Sequence, residues 1–342
     1  MPVVLAVEEA LAKAAELGKK PHLLMGNGFS RACLDDVFAY EALLEKADFS
    51  NLSASAWEVF DAFGTTDFEA VMRGLLDASR LVVLYDPSQA PLAAQMEADA
   101  AGLREVLIQA IAKSHPDYPG VVSSEAYKKC RAFLARFDRL YTLNYDLLLY
   151  WALMQSEIDD LEISSDDGFR KPDGEAVDYV TWDPDTVGSQ DVYYLHGGLH
   201  LFDAAHELQK YTWVNTGVKL IDQIRSAMEA ERFPLFVAEG DSSAKLDKIR
   251  HSGYLSRCER SLYSLAGTLF LFGWSIGPSD AHMVRAIHRS KVRNLFVSAR
   301  SEVGTEADAA LAERAAAISS ARPPGRPLAI HFYSADSAHV WS

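Results

Sequence analysis

Two rhythms of apolar positions alternate along this chain. Over residues 6–18, Val7, Leu11, Ala14, Ala15 and Leu17 recur at helical spacing, which predicts an amphipathic first helix. A short apolar run over 22–25 then reads as a buried strand. It opens into Gly26-Asn27-Gly28, with Ser30 placed where it can cap a helix. From 35 to 135 the helical rhythm dominates, at 40–46, at 54–63, at 67–85 with Phe68, Val71, Met72, Leu75 and Leu76 on helical spacing, and along the alanine-rich 91–114. Pro91 suits the first turn of that last helix, where no backbone N–H is needed. His115 falls in a proline-rich turn and is expected to be a solvated loop histidine.

Past residue 135 short β-type runs return between helical ones. Strands are expected over 140–143, 191–202, 233–240, 268–272, 294–298 and 328–333, and helices over 147–154, 254–265, 282–288 and 306–319. Ser279 or Asp280 is expected to cap the helix that begins near His282. The acidic stretch 155–190 reads as a loop or hairpin with solvated carboxylates, Glu239, Lys245 and Lys248 as salt-bridged surface groups, and His200 and His206 as ordinary histidines. This alternation predicts an α/β fold: a Rossmann-like, doubly wound, mostly parallel sheet built from 1–34 and 136–342, with 35–135 as a helical insertion. Such an insertion would serve as a cap over a site or as an oligomer interface.

Charge and cysteine content narrow the classes of function. The chain has 342 residues and a net charge of −15, and no long Lys/Arg run, so direct nucleic-acid binding is disfavoured. Cys33, Cys130 and Cys258 are odd in number and far apart, so neither a disulfide framework nor a zinc site is expected, and a reducing cytoplasm fits. The N-terminal apolar run is short and carries Glu8, Glu9 and Glu16, unlike a signal peptide, and no stretch has the length and apolarity of a membrane span.

The chemistry is expected at strand ends. A strand–glycine turn–helix unit at 21–31 aims unpaired N–H groups at one point and suits a phosphate, with glycine allowing close approach and positive φ. It lacks the full G-x-G-x-x-G spacing, because Arg31 stands three residues after Gly28. Asn144 and Asp146 sit at the end of the second strand, where ligands gather in open α/β sheets. The other reading of that pair is a turn asparagine and a helix-capping aspartate. His196 precedes two glycines at another strand end, which would leave its ring open to a ligand; the alternative is a satisfied core histidine.

Four motifs now stand in order: GNGFS at 26–30, TLNYD at 142–146, LHGG at 195–198 and FGWS at 272–275. The set resembles the sirtuin-like NAD-binding superfamily, with its Gly-Ala-Gly-x-Ser loop, Thr-x-Asn-x-Asp, catalytic His-Gly and Gly-x-Ser turn. The helical segment 35–135 is unlike sirtuins proper and is similar to bacterial sirtuin-like proteins containing a domain of unknown function, whose better-understood relatives hydrolyse NAD in phage defence. The resemblance implies that Gly26, Asn27, Gly28 and Ser30, with Arg31, line a diphosphate. It places Asn144 and Asp146 at the nicotinamide ribose, His196 as the base, and Gly273 and Ser275 at the adenosine end. Asn27 replaces the usual alanine, and the zinc-binding cysteines of deacylating sirtuins are missing, which argues against protein deacylation and for no metal. The expectation is therefore an NAD glycohydrolase releasing nicotinamide and ADP-ribose, or a cyclic form of it. The alternatives are an NAD- or ADP-ribose-binding sensor without turnover and an ADP-ribosyl transferase. A hydride-transfer dehydrogenase is disfavoured, since Glu41, Glu45 and Asp48 are ambiguous candidates for the ribose-binding acid. The implied partner is a small-molecule nucleotide, with homo-oligomerisation left open.

Overall fold

The computed structural model describes residues 3–53, 55–172, 177, 179–186, 189–204, 207–212, 219–230, 232–238, 241–300, 306–323 and 325–342. Its strands are β1 (Val4–Leu5), β2 (His22–Met25), β3 (Leu140–Thr142), β4 (Phe169–Arg170), β5 (Tyr179–Trp182), β6 (Val192–Tyr194), β7 (Gly197–Asp203), β8 (Leu208–Tyr211), β9 (Pro234–Phe236), β10 (Ala266–Phe272), β11 (Lys291–Ala299) and β12 (Ala329–Ser334). Its helices are α1 (Val7–Glu16), α2 (Asn27–Arg31), α3 (Asp35–Phe38), α4 (Tyr40–Glu45), α5 (Ser55–Phe63), α6 (Phe68–Tyr85), α7 (Ala90–Ser114), α8 (Ser124–Leu134), α9 (Leu148–Met154), α10 (Leu220–Glu229), α11 (Ser242–His251), α12 (Gly253–Ser264), α13 (Ala281–Arg289) and α14 (Glu306–Ser320).

Seven strands form one sheet in the order β1-β12-β11-β10-β2-β3-β6, every neighbouring pair parallel. Without the edge strand β1, and counted along the chain, that order is 3-2-1-4-5-6, the doubly wound order of dinucleotide-binding sheets. The switch point lies between β2 and β10. Leu23, Leu24, Leu269, Phe270, Leu271, Phe296 and Val297 are fully buried, as parallel strands covered on both faces must be. The expected Rossmann-like α/β architecture is therefore present.

A second sheet is present that the sequence pattern does not announce: β4-β5-β8-β7-β9, antiparallel throughout. The β-type run 191–202 is not one strand. It leaves the parallel sheet after β6, passes Leu195 and His196, and enters the antiparallel sheet as β7. Gly197 makes that transfer at φ 81°, and a Cβ there would lie 1.9 Å from the Leu235 carbonyl oxygen, so this glycine serves the crossing of β9 rather than access to the His196 ring.

Within the insertion, Asp67 caps α6 by accepting from the Glu69 and Ala70 N–H groups at 2.9 and 3.3 Å. Phe49, Phe60 and Phe68 meet edge to face or stacked at its base. Further along, Phe133 of α8 packs on Phe272 of β10, so α8 lies against the parallel sheet. In α1 the buried stripe is Val7, Ala10 and Ala14, whereas Ala15 and Leu17 face solvent. Asp167 is buried against Lys210, not solvated, and Asp166 is held down to about 2 by the Arg170 guanidinium at 2.6 Å. His206, Glu239 and Gly240 lie outside the described residues. No helix among the described residues is long and apolar enough to cross a membrane.

Candidate functional site

The register of the parallel sheet brings the four strand-end motifs to one edge. Tyr194 pairs with Thr142, Thr142 with Met25, and Met25 with Phe272, so four strands end in a single row. Gly26 and Gly273 lie one residue past that row, and Asn144 and His196 lie two past it.

The two glycine turns interlock. Gly26 N–H donates to Phe272 O at 2.9 Å and Gly28 N–H to Gly273 O at 2.8 Å. A Cβ on Gly28 would stand 2.5 Å from Gly273 Cα, and one on Gly273 would stand 2.6 Å from Gly28 Cα. Backbone pressed on backbone is what these glycines permit. The positive φ expected of the first turn is found at Gly273, at 65°, and not at Gly26 or Gly28. Asn27 does not offer a free amide, because its Nδ2 donates to Phe38 O at 3.2 Å. Arg31 is ion-paired to Asp35 at 2.6 Å.

Ser30 is not a cap. It lies inside α2, fully buried, and forms a polar knot with the next strand end. Asn144 Nδ2 donates to Ser30 Oγ at 2.8 Å and to Gly26 O at 3.0 Å, and Ser30 Oγ donates to Asp146 Oδ2 at 2.5 Å. The Gly26 carbonyl can only accept, which fixes the amide with Nδ2 toward it and Oδ1 away. Asp146 also accepts from Leu148 N–H at 2.9 Å at the start of α9, so it serves a helix terminus and the knot together. Burial pushes its carboxyl above the usual range, and the bonds from Ser30 and Leu148 pull part of the way back. His115 supports this loop from behind. It is buried, not solvated: its Nδ1 donates to Pro116 O and its Nε2 accepts from Leu147 N–H, both at 3.0 Å, and burial lowers it to about 4.

His196 enters a second cluster. Its Nε2 lies 3.0 Å from His282 Nε2 and 4.0 Å from Asp280 Oδ1. His282 Nδ1 meets Ser242 Oγ at 3.2 Å. Asp280 stands at the start of α13 but caps nothing; Trp274 Nε1 donates to its Oδ2 at 2.9 Å and Lys245 Nζ to its Oδ1 at 3.0 Å. Lys245 also donates to Glu69 of α6 at 2.8 Å and is 1% exposed, an ion pair of the interior and not of the surface. Burial drives both imidazoles down, His196 strongly and His282 to about 4, with Asp280 pushing back. Burial alone would raise Asp280, yet the Lys245 ammonium holds it well below the carboxylate range. Burial raises Glu69 against the pull of Lys245. His196, Asp280 and His282 also place one ligand-type atom each within 4.8 Å of one another, a grouping that the metal-free expectation did not foresee.

A cavity of about 1120 Å³ opens over this sheet edge. Gly26, Asn27, Gly28, Arg31, Asn144, Asp146, His196, Gly273 and Ser275 all line it; Ser30 does not, lying beneath as the tie between Asn144 and Asp146. The insertion supplies another wall through Phe38, Tyr40, Asp67, Glu69 and Arg73. Four arginines, Arg31, Arg73, Arg300 and Arg314, line it together with seven acidic residues, among them Asp35, Asp67, Glu69 and Asp308. At the β10 exit Arg314 Nη1 donates to Ser275 O at 3.0 Å, and buried Ile276 holds φ 54°, a costly conformation for a β-branched residue.

Residues 23–341 match the domain of unknown function DUF4917. The chain belongs to that family. No curated protein matches it. The DUF4917 span takes in the parallel sheet apart from β1 and the first residue of β2, the antiparallel sheet, the helices of 35–135 and every residue of both clusters.

Glu69, Ser242, Lys245, Asp280 and His282 of this DUF4917 site were not singled out from the sequence as its chemistry. For Asp280 and His282 a signal was present: they follow the β10 exit within ten residues, at the end of the sheet where ligands collect. For Glu69 and Lys245 no local signal exists, since they are 176 residues apart and become partners through the fold.

Proposed function

We propose that the cavity binds NAD and hydrolyses its nicotinamide–ribose bond, in keeping with the resemblance of the four motifs to sirtuin-like NAD-binding proteins. The observation that carries this reading is that Asn144, Asp146 and His196 line one cavity at the switch point of a 3-2-1-4-5-6 sheet. A volume of about 1120 Å³ leaves room for a dinucleotide, and among the mixed charges of the lining the four arginines are the groups that would meet a diphosphate, Arg31 and Arg314 by exchanging their bonds to Asp35 and Ser275.

The chemistry balances with the chain's own groups. Water oxygen bonds to ribose C1′ as the C1′–N bond breaks, and the electron pair leaves with nicotinamide and cancels its pyridinium charge. His196 takes the proton of the attacking water. Burial keeps its imidazole neutral beforehand, and Asp280 at 4.0 Å favours the imidazolium once formed. Asn144 Oδ1 and the Asp146 carboxyl offer oxygens to the oxocarbenium-like sugar.

Incubation of the full chain with NAD, followed by mass spectrometry, tests the reading. Nicotinamide and ADP-ribose, linear or cyclic, are expected from the wild type, with a loss of about 10²–10⁴-fold in His196→Ala and a comparable loss in Asn144→Ala. Equal background product from the wild type and His196→Ala in every assembly state overturns it. Tight NAD binding without product supports a sensor instead, and a labelled adduct on a protein supports ADP-ribosyl transfer.

A further inference from the structure

The contact between His196 and His282 assigns a proton. Two imidazole nitrogens 3.0 Å apart, away from water, need one hydrogen between them: none sets two lone pairs against each other, and two sets N–H against N–H. Two tautomer patterns satisfy this. In one, His196 holds the shared proton on Nε2, His282 accepts it and donates its Nδ1–H to Ser242 Oγ. In the other, all three roles reverse, and His196 carries its hydrogen on Nδ1.

The groups around the pair favour the first pattern. Asp280 Oδ1 stands 4.0 Å from His196 Nε2, so its negative potential draws the proton to that nitrogen. Trp274 and Lys245 each hold one oxygen of Asp280, which keeps the carboxylate in place. His196 Nδ1 has no hydrogen-bond partner among the described residues, and the ring lines the cavity. Other groups that bear on the pair are Tyr145, whose ring stacks 6.5 Å from that of His196, Arg285 on α13, which disfavours charge on His282, and Glu69, which acts through Lys245.

We infer that His282, backed by Ser242, is a positioning residue that locks His196 as its Nε2–H tautomer and so leaves the Nδ1 lone pair as the proton-accepting atom at the cavity. A metal ion shared by His196, Asp280 and His282 is the competing arrangement. Lys245 argues against it, because its ammonium already sits on the Asp280 oxygen that such an ion would take. The tautomer assignment stands on geometry; its kinetic consequence rests on the hydrolase reading above.

The test is long-range ¹H–¹⁵N correlation of the imidazoles in the full chain at pH 7.5 without NAD, with His196→Ala and His282→Gln providing assignments. Wild type is expected to show Nε2–H for His196 and Nδ1–H for His282. His282→Leu removes the acceptor and leaves only Asp280 to favour the Nε2–H form, so the Nε2–H share of His196 is expected to fall and its Nδ1–H form to become populated beside it. His282→Gln restores an acceptor and is expected to return it toward Nε2–H; should the leucine variant not fold, wild type and the glutamine variant still decide. If NAD is turned over, kcat falls at least about tenfold in His282→Leu with KM little changed, and largely recovers in His282→Gln. An Nδ1–H His196 in the wild type, or an unaltered His196 pattern in His282→Leu, overturns the assignment. So does about one equivalent of bound transition metal whose removal by chelator shifts both rings. The expected spectra together with no nicotinamide release would instead leave the tautomer standing and remove the hydrolase.

Discussion

The two polar clusters at this sheet edge are built on different principles. Ser30, Asn144 and Asp146 follow the exits of β2 and β3, which are neighbours, and short hydrogen bonds tie them to one another and to Gly26, with Leu148 N–H at the start of α9 as a further donor to Asp146. His196 and the Asp280–His282 pair come from the exits of β6 and β10, which β3 and β2 separate, so they meet above the inner strands. That second cluster closes only with Lys245 from α11 and Glu69 from the insertion. A knot between adjacent strands comes with the sheet itself. A bridge across two strands depends on buried charge, and charge makes it the more fragile of the two.

Removing Lys245 should show this most strongly. In Lys245→Met, Glu69 and Asp280 are left facing each other in the interior, and a loss of about 3–5 kcal/mol is expected in denaturant unfolding. Adding Glu69→Gln and Asp280→Asn should recover much of it. A cost below about 1 kcal/mol for the single variant would mean that the second cluster is no more charge-dependent than the first.

Each cluster has a histidine held down to about 4, His115 behind the first and His282 within the second. Since both are lowered from 6.5, the unfolded chain binds more protons between about 6.5 and 4. The stability they contribute is complete above pH 6.5 and is lost as pH falls toward 4. On the order of 2 kcal/mol per histidine should have gone by pH 5. In His115→Gln and in His282→Gln the difference between unfolding free energies at pH 7.5 and pH 5 should shrink by about that amount, and by equal amounts if both clusters are equally dry. An unchanged difference in either variant would show that its histidine is already accessible to protons.

How much could be read from the chain obeys the same division. The first cluster lies within two motifs, GNGFS and TLNYD, and the strand rule pointed at both, so Asn144 and Asp146 were legible. Of the second, only His196 stood out, since its partners are spread over three segments, α6, α11 and the stretch from β10 into α13, and only the last lies at a strand exit. The parallel strands were legible because long apolar runs suit strands buried on both faces. The antiparallel sheet was not: its strands are two to seven residues long, and only Leu195 and His196 separate β6 from β7 within one unbroken β-type run. His115 misled because a proline-rich turn normally faces water, whereas this one folds inward to meet Leu147 and Trp151.

The glycine pair that joins the two halves should respond next. A methyl group at Gly28 meets Gly273 Cα at 2.5 Å, and neither backbone can move without pulling its strand end. Gly28→Ala is expected to cost about 1–3 kcal/mol, and Gly273→Ala at least as much because its φ of 65° is unfavourable as well. If the cavity takes NAD as proposed, both variants also weaken its binding in calorimetry. If either melts like the wild type, the close approach of the two turns is not part of the fold's stability.

Arg31 should matter least to folding, and its effect separates ligand from scaffold. It faces the cavity at the end of α2 and pairs with Asp35 at the start of α3, with side chains 36% and 66% exposed. Such an exposed pair contributes at most about 1 kcal/mol, so the unfolding of Arg31→Ala should lie close to that of the wild type. For ligand binding the partner does matter, because an arginine committed to Asp35 must share or exchange that bond to receive a phosphate. Asp35→Asn frees the guanidinium without removing it. If the cavity takes a diphosphate, Arg31→Ala weakens NAD binding while Asp35→Asn leaves it equal or stronger, and both respond to salt. Parallel weakening in the two variants would mean that the ion pair shapes the wall of the cavity and that Arg31 does not touch the ligand.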